Sequence, residues 1–256
     1  MSTSPRKRGE VGLGETGVSH KIQLHSFSAR YIARMRRTPV YIICSTRPQV
    51  GKTLVARLLT EFLALQRGGV TAFDISLKEP SLLDFLPKLT ETAAVDDTFD
   101  KMALMDRLIV HDDQGKVIDL GYHAFDEFFK MTAEIGFAKE AARRGVAPIV
   151  LFMADSDRAS LRAYAMLQDQ IPANALYVID NEHVVRGEMP PALARGRTVE
   201  IAALPPFLKT YIDRLNFSFT GYLRTEKDSS TELHQWIRKN YFSFREIELQ
   251  LLLQRS

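Results

Sequence analysis

The chain has one cysteine, Cys44, in 256 residues. A lone thiol rules out an intrachain disulfide, and no Cys/His cluster has the spacing of a structural zinc site. The six histidines, at 20, 25, 111, 123, 183 and 234, show no ligand spacing either. No apolar run approaches the ~20 residues needed to span a bilayer. The N-terminus is basic but carries no apolar segment of the secretory kind, so a cytoplasmic protein is expected. No internal repeat is evident. Glycine is scarce at one informative place: the loop TRPQVG (46–51) between an apolar run and a helical pattern has its glycine only at the end.

What is present is an ordinary globular composition, 45% hydrophobic and 25% charged, long enough to bury one large core. The net charge of +3 hides an asymmetry. Arg6, Lys7, Arg8, Lys21, Arg30, Arg34, Arg36 and Arg37 face only Glu10 and Glu15 in residues 1–38, which gives +6; the remaining 26 basic and 29 acidic side chains give −3. The first twenty residues, rich in Ser, Gly and charge, are expected to be disordered. FSARYIARMRR can form a short basic amphipathic helix. Such an arm could bind DNA non-specifically, or anionic lipid, through phosphate contacts; a solvated tail is the equal alternative.

From residue 39 short apolar runs alternate with helical stretches. The strands expected are 39–46, 70–75, 116–121, 147–154, 175–180 and 198–204, and the helices 52–67, 98–110, 124–144 and 156–170. Runs that are apolar throughout, rather than alternating, imply cover on both faces. The expected fold is therefore α/β, a doubly wound and mostly parallel sheet flanked by helices, in one domain over 39–256 behind an arm over 1–38. FLKTYIDRL and a long helix from about 230 to 254 should pack on the flank of the sheet.

PVYIICST–RPQV–GKT–LVARLL reads as strand, loop and helix, the context in which GKT holds nucleotide phosphate. Helix-start N–H groups would face the phosphates, Lys52 would reach the β- and γ-phosphates, and Thr53 would ligate Mg²⁺. Gly51 lets the backbone approach without a Cβ.

This loop resembles the deviant Walker A loop of the ParA/MinD family of P-loop ATPases, KGGxGKT, which falls on Arg47, Pro48, Gln49, Val50, Gly51, Lys52 and Thr53, with Leu54 next in the helix. The resemblance covers roughly 39–215 and implies ATP and Mg²⁺ as ligands, an ATP-dependent homodimer, and a role in partitioning or positioning DNA or another cargo with an unknown adaptor. Arg47 takes the place of the family's signature lysine, which contacts phosphate across the dimer. Pro48 and Gln49 depart from the two glycines; proline has no N–H to offer. VTAFDIS resembles the family's DxD segment, with Asp74 on the first aspartate, expected to orient the attacking water, and Ser76 on the second. KVIDLG resembles Walker B and gives Asp119 to Mg²⁺. Its continuation is loosely similar to the StbB/TraL plasmid subgroup. Asn181, just past a strand, matches the base-reading asparagine, and Pro205 lies where backbone completes the base pocket.

Other residues read structurally. Asp155-Ser156-Asp157 is a helix cap, His123 a loop residue, and Arg143, Arg144, Arg158 and Arg162 a solvated helix face. YFSFREIELQLLLQ is apolar on one side, but Glu246 and Glu248 oppose anionic lipid, so packing on the core is favoured over membrane contact. The expected function is a weak ATPase acting as a dimerisation switch. The alternatives are a switch that hardly hydrolyses ATP, or an ATP-dependent ligase or kinase resembling dethiobiotin synthetase, for which Lys78 is the one hint of an acceptor site.

Overall fold

Strands that are apolar on both sides need helices on both sides, and the chain supplies them. The computed structural model describes residues 37–76, 81–112, 114–184 and 189–253. Residues 1–36 of the basic arm, with its expected DNA contacts, and Lys78 lie outside the described residues. The strands are β1 (Thr38–Cys44), β2 (Val70–Ile75), β3 (Thr90–Thr92), β4 (Gly115–Leu120), β5 (Val146–Met153), β6 (Leu176–Asn181) and β7 (Arg197–Ile201). They form a seven-stranded sheet in the order β3-β2-β4-β1-β5-β6-β7. Every pairing is parallel, so the sheet is the expected doubly wound type.

The helices are α1 (Lys52–Arg67), α2 (Leu82–Phe85), α3 (Thr98–Leu108), α4 (Phe125–Glu134), α5 (Phe137–Arg143), α6 (Arg158–Gln170), α7 (Pro191–Ala194), α8 (Pro206–Ile212), α9 (Phe219–Thr225) and α10 (Glu232–Leu253). Alternate residues of β1 point to opposite layers. Tyr41 and Ile43 join a core with α1 and with Phe219, Trp236 and Phe244 of α9 and α10. Val40, Ile42 and Cys44 join a second core with Phe128, Phe137 and Leu167 of α4, α5 and α6. Cys44 is a free, buried thiol, and burial holds it well above the usual thiol range.

Four expectations need correction. The stretch 124–144 is two helices, because Gly136 turns left-handed (φ 63°) and stops the first. The polar tripeptide TET forms the short edge strand β3, fastened at both ends by Ala72 N–H to Leu89 O at 2.8 Å and Ala93 N–H to Asp74 O at 3.0 Å. β7 stops at Ile201, and α9 is an additional helix after α8. Asn181 is the last residue of β6 rather than lying beyond it.

Helix α10 packs on the sheet flank as expected, through Leu233, Trp236, Ile237, Tyr241, Phe244 and Ile247. Glu248 is half the reason. It accepts from Tyr41 Oη at 2.5 Å and from Arg67 Nε at 2.9 Å, a charge-assisted set that binds helix to strand. Burial first, and then this carboxylate, push the Tyr41 phenol well up, so it stays a donor.

Helix α1 carries polar side chains into the interior. Glu61, 4% exposed, accepts from Ser218 Oγ at 2.6 Å, Thr220 N–H at 2.8 Å and Phe219 N–H at 3.1 Å, which caps α9 from a neighbouring helix. Arg57, 1% exposed, donates Nη2 to Ile212 O at 2.9 Å and lies 3.8 Å from the centre of the Phe85 ring. Burial lowers its pKa to about 10, with Glu61 and Asp213 pulling the other way. Buried donors left without an acceptor cost roughly 1–3 kcal/mol each. Glu61→Ala is therefore expected to destabilise the protein by about 3 kcal/mol, and Glu61→Gln, which keeps one acceptor, by clearly less. Urea unfolding of the three proteins checks this order; equal midpoints would remove the cap from the account.

Candidate functional site

Neighbouring strands β1 and β4 send their connections to opposite sides of the sheet, β1 toward β2 and β4 toward β5. A crevice opens at their C-terminal ends, the usual ligand position in an open α/β sheet. Residues 46–51 carry the chain from β1 into α1. Gly51 sits there at φ 89°, ψ 18°, and a Cβ on it would lie 2.2 Å from Asn181 Nδ2. Only glycine fits both the angle and the space. Gln49 also takes a left-handed φ, 59°, so this loop adopts a glycine-type angle without a glycine.

Helix α1 starts with no side-chain cap and no acid in its first turn, leaving its positive end uncompensated. Gly51, Lys52, Thr53 and Leu54 at that end line a cavity of about 690 Å³, within the roughly 300–1,000 Å³ of small-molecule sites. Thr53 Oγ1 donates to Asp119 Oδ2 at 2.7 Å. The Asp119 carboxyl, 1% exposed, is pushed up to about 6, mainly by burial and also by Asp74, while the Thr53 bond and Lys52 pull it down. Lys52 Nζ donates to Arg47 O at 2.9 Å, closing the loop on itself.

The remaining expected site residues divide between the cavity wall, where Pro48, Gln49 and Asn181 lie, and the structure around it. Asp74 is paired in register with Asp119, but its oxygens accept from Ser76 N–H and Leu83 N–H, both at 3.0 Å. It braces Ser76 and the start of α2. Ser76 lies on the cavity wall, and Asp74 is not among the residues that line it. Asn181 is spent on the loop: Nδ2 donates to Val50 O at 3.0 Å and Oδ1 accepts from His183 N–H at 3.3 Å. It braces the loop from β6. Val50 is buried core, its carbonyl held by that amide. Arg47 points outward, 3.4 Å from both Asp155 Oδ2 and Asp157 Oδ2. Asp157 caps α6 through Ala159 N–H at 2.7 Å, as expected of that segment. Pro48 and Gln49 line the cavity; Pro205 precedes α8 as its N-cap and does not.

Sequence reasoning missed several residues of the wall: Arg57, Phe85, His123, His183, Lys209 and Asp213. Of these only His123 left a local trace, four residues past Asp119. His183 accepts from Leu204 N–H at 3.3 Å, and burial, aided by Lys209, lowers its pKa.

The donor set suits a magnesium–nucleotide pair. A hydroxyl and a carboxylate are hard oxygen ligands, and Mg²⁺ bound through one or two protein groups takes its other ligands from phosphates and water. Among the described residues no group of three or more His, Cys, Asp or Glu converges on one point, so Thr53 and Asp119 would share the cation with the nucleotide. Among the described residues no helix is long and apolar enough to cross a membrane.

No family model matches the chain, and no curated protein matches it. Among solved structures, it is similar to the MinD cell division protein of Aquifex aeolicus, with 18% identity over 82% of this chain and 97% of that one at a TM-score of 0.45. It is also similar to a chain of the MinC:MinD cell division protein complex of Aquifex aeolicus, with 16% identity over 82% and 96% of the two chains at a TM-score of 0.43.

Proposed function

We propose that the chain binds ATP with Mg²⁺ in the crevice and works as a dimerisation switch of the ParA/MinD kind, with slow hydrolysis, in the positioning or partitioning of DNA or another cargo. One observation carries the reading: the uncapped start of α1 presents Lys52 and Thr53 to a nucleotide-sized cavity, with Thr53 bonded to the Asp119 carboxylate at the tip of β4. The cation, when bound, neutralises phosphate charge. The chain's own work is to place Lys52 beside the β- and γ-phosphates, to offer the α1 amides, and to hold the loop in shape through Asn181. Asp74 is committed to backbone amides, which favours a switch that holds ATP longer than it hydrolyses it.

Lys52→Ala should weaken ATP–Mg²⁺ binding at least tenfold, because a charge-assisted phosphate contact is worth about 1.5–3 kcal/mol. Titration of a fluorescent ATP analogue measures it, and superimposable curves would refute the assignment.

Arg47, itself half-exposed, is tied to Asp155 and Asp157 by ion pairs at 3.4 Å, worth about 0–1 kcal/mol at such exposure, so it can exchange them for a partner's phosphate. Arg47→Ala is expected to keep monomeric ATP binding and lose the ATP-dependent dimer. Light scattering decides: a parent protein that stays monomeric under saturating ATP rules the sandwich out.

Asp119 sets the pH response. Its folded pKa, about 6, lies above the ordinary value of 3.8. Its contribution to apo stability is thus full below 3.8 and is lost as pH rises through about 6. Mg²⁺ needs the ionised form, so binding has the opposite slope. ATP–Mg²⁺ affinity should fall about tenfold from pH 7 to pH 5, following the ionised fraction. In Asp119→Asn the share of the slope that exceeds the titration of ATP itself should vanish, and apo stability at pH 7 should not fall; calorimetric titration and thermal melts measure both.

A further inference from the structure

We infer that His123 is the group that positions the attacking water and takes its proton when ATP is hydrolysed in this cavity. The inference rests on the reading of the crevice as an ATP–Mg²⁺ site. After β4 the chain turns at Gly121, whose N–H donates to Ile75 O at 2.9 Å. The His123 ring folds back over that turn. A Cβ on Gly121 would lie 2.4 Å from His123 Cε1, 2.7 Å from its Nδ1 and 2.3 Å from Ile75 O. The imidazole therefore stands at the tip of β2, one residue from Ser76, and it lines the same cavity as Ser76, Lys52 and Asp119. Its face is set by the Tyr122 ring, 6.0 Å away and nearly perpendicular. The side chain is exposed, and among the described residues neither ring nitrogen has a hydrogen-bond partner.

Elimination leads to the same residue. Asp74 is held by two amides, and Asp119 is bonded to Thr53 and faces the cation position. Ser76 is too weakly basic to take a proton. His183 has Nε2 already accepting from Leu204 N–H, and the Asp213 carboxylate is paired with Lys209. The cavity's lysines and Arg57 are cations with no basic lone pair. His123 shares the cavity wall with Asp119 of β4, Lys52 of α1 and the adjacent Tyr122. An imidazole ring nitrogen facing the cavity is a group of the kind that takes a proton from a bound water.

In the step, the water oxygen forms a bond to the γ-phosphorus as the bond from that phosphorus to the β–γ bridging oxygen breaks. The electron pair of the broken bond leaves with ADP. The water's proton passes to the unprotonated ring nitrogen of His123, and from there to the phosphate product or solvent.

The test uses the full chain and the variants His123→Ala and His123→Gln in three measurements: binding of a non-hydrolysable ATP analogue with Mg²⁺, binding of ADP–Mg²⁺ with aluminium fluoride as a mimic of the transferring phosphoryl group, and phosphate release. Both variants should bind the ATP analogue within about twofold of the parent and lose about 100-fold in kcat, the usual share of a general base. The parent should prefer the fluoroaluminate complex over ADP alone, a preference the variants lose, because the lost contact belongs to the transition state. Added imidazole should restore part of the rate in His123→Ala. If the parent hydrolyses ATP and His123→Ala matches its rate and its fluoroaluminate preference, His123 is refuted while the nucleotide site stands. A parent that binds ATP but releases no phosphate also refutes it. If the parent binds no ATP at all, the reading of the crevice falls, and this inference with it.

Discussion

The 2.7 Å hydrogen bond from Thr53 to Asp119 joins the first turn of α1 to the tip of β4, and much of the architecture is a condition for it. It requires β1 and β4 to be neighbours, with Ile43 opposite Asp119. Since β4 is far along the chain, β2 and β3 must first be laid down outside it. The bond also explains how a carboxylate can sit 1% exposed. Thr53 and Lys52 lower the cost of its charge without removing it, and its pKa settles at about 6. A buried acid with an incomplete set of partners at the end of a helix dipole is a place prepared for a cation and an anion together.

Helix α1 transmits that arrangement to the rest of the fold. It is buried continuously from Leu54 to Leu63, between the sheet on one side and α9 and α10 on the other. Its two buried charges, Arg57 and Glu61, hold the carbonyl of Ile212 and the start of α9. The C-terminal helices are therefore attached to the same helix whose first turn forms the proposed phosphate site. Lys209 and Asp213 reach the cavity from there. A ligand bound at the start of α1 would stabilise the attachment by mass action, since both depend on one helix being in place.

How much of this was legible depended on whether the signal was local. The apolar runs of β1, β2, β4, β5 and β6 announce a covered parallel sheet, and GKT between a strand and a helix announces the crevice. Asp119 is equally visible, an acid ending an apolar run. TET was not legible as a strand, because three polar residues at a sheet edge carry no periodicity. Gly136 reads as a tolerable helix glycine until its positive φ is seen. Arg57 and Glu61 carry no local signal of burial; only the tertiary cover from α9 turns them inward. Asp74 and Asn181 are instructive in another way. Residue type and position matched the resemblance, but the side chains are used by nearby backbone amides and carbonyls, a competition that sequence alone does not reveal.

The loop's departures from glycine are compensated by its fastenings. Gln49 at φ 59° carries strain of order 1 kcal/mol, and Pro48 offers no N–H. Against this, Asn181 holds the Val50 carbonyl, Lys52 holds the Arg47 carbonyl, and the Arg47 side chain spans Asp155 and Asp157. A loop braced at three successive points is already ordered before phosphate arrives, so little conformational entropy is left to lose on binding. Lys52 must still leave its carbonyl, exchanging a neutral acceptor for a charged one, which favours the bound state. The loop thus trades one amide donor for rigidity. Rigidity secures binding, but it does not supply a group to activate water, and that need falls on the far wall of the cavity, where β2 and β4 end.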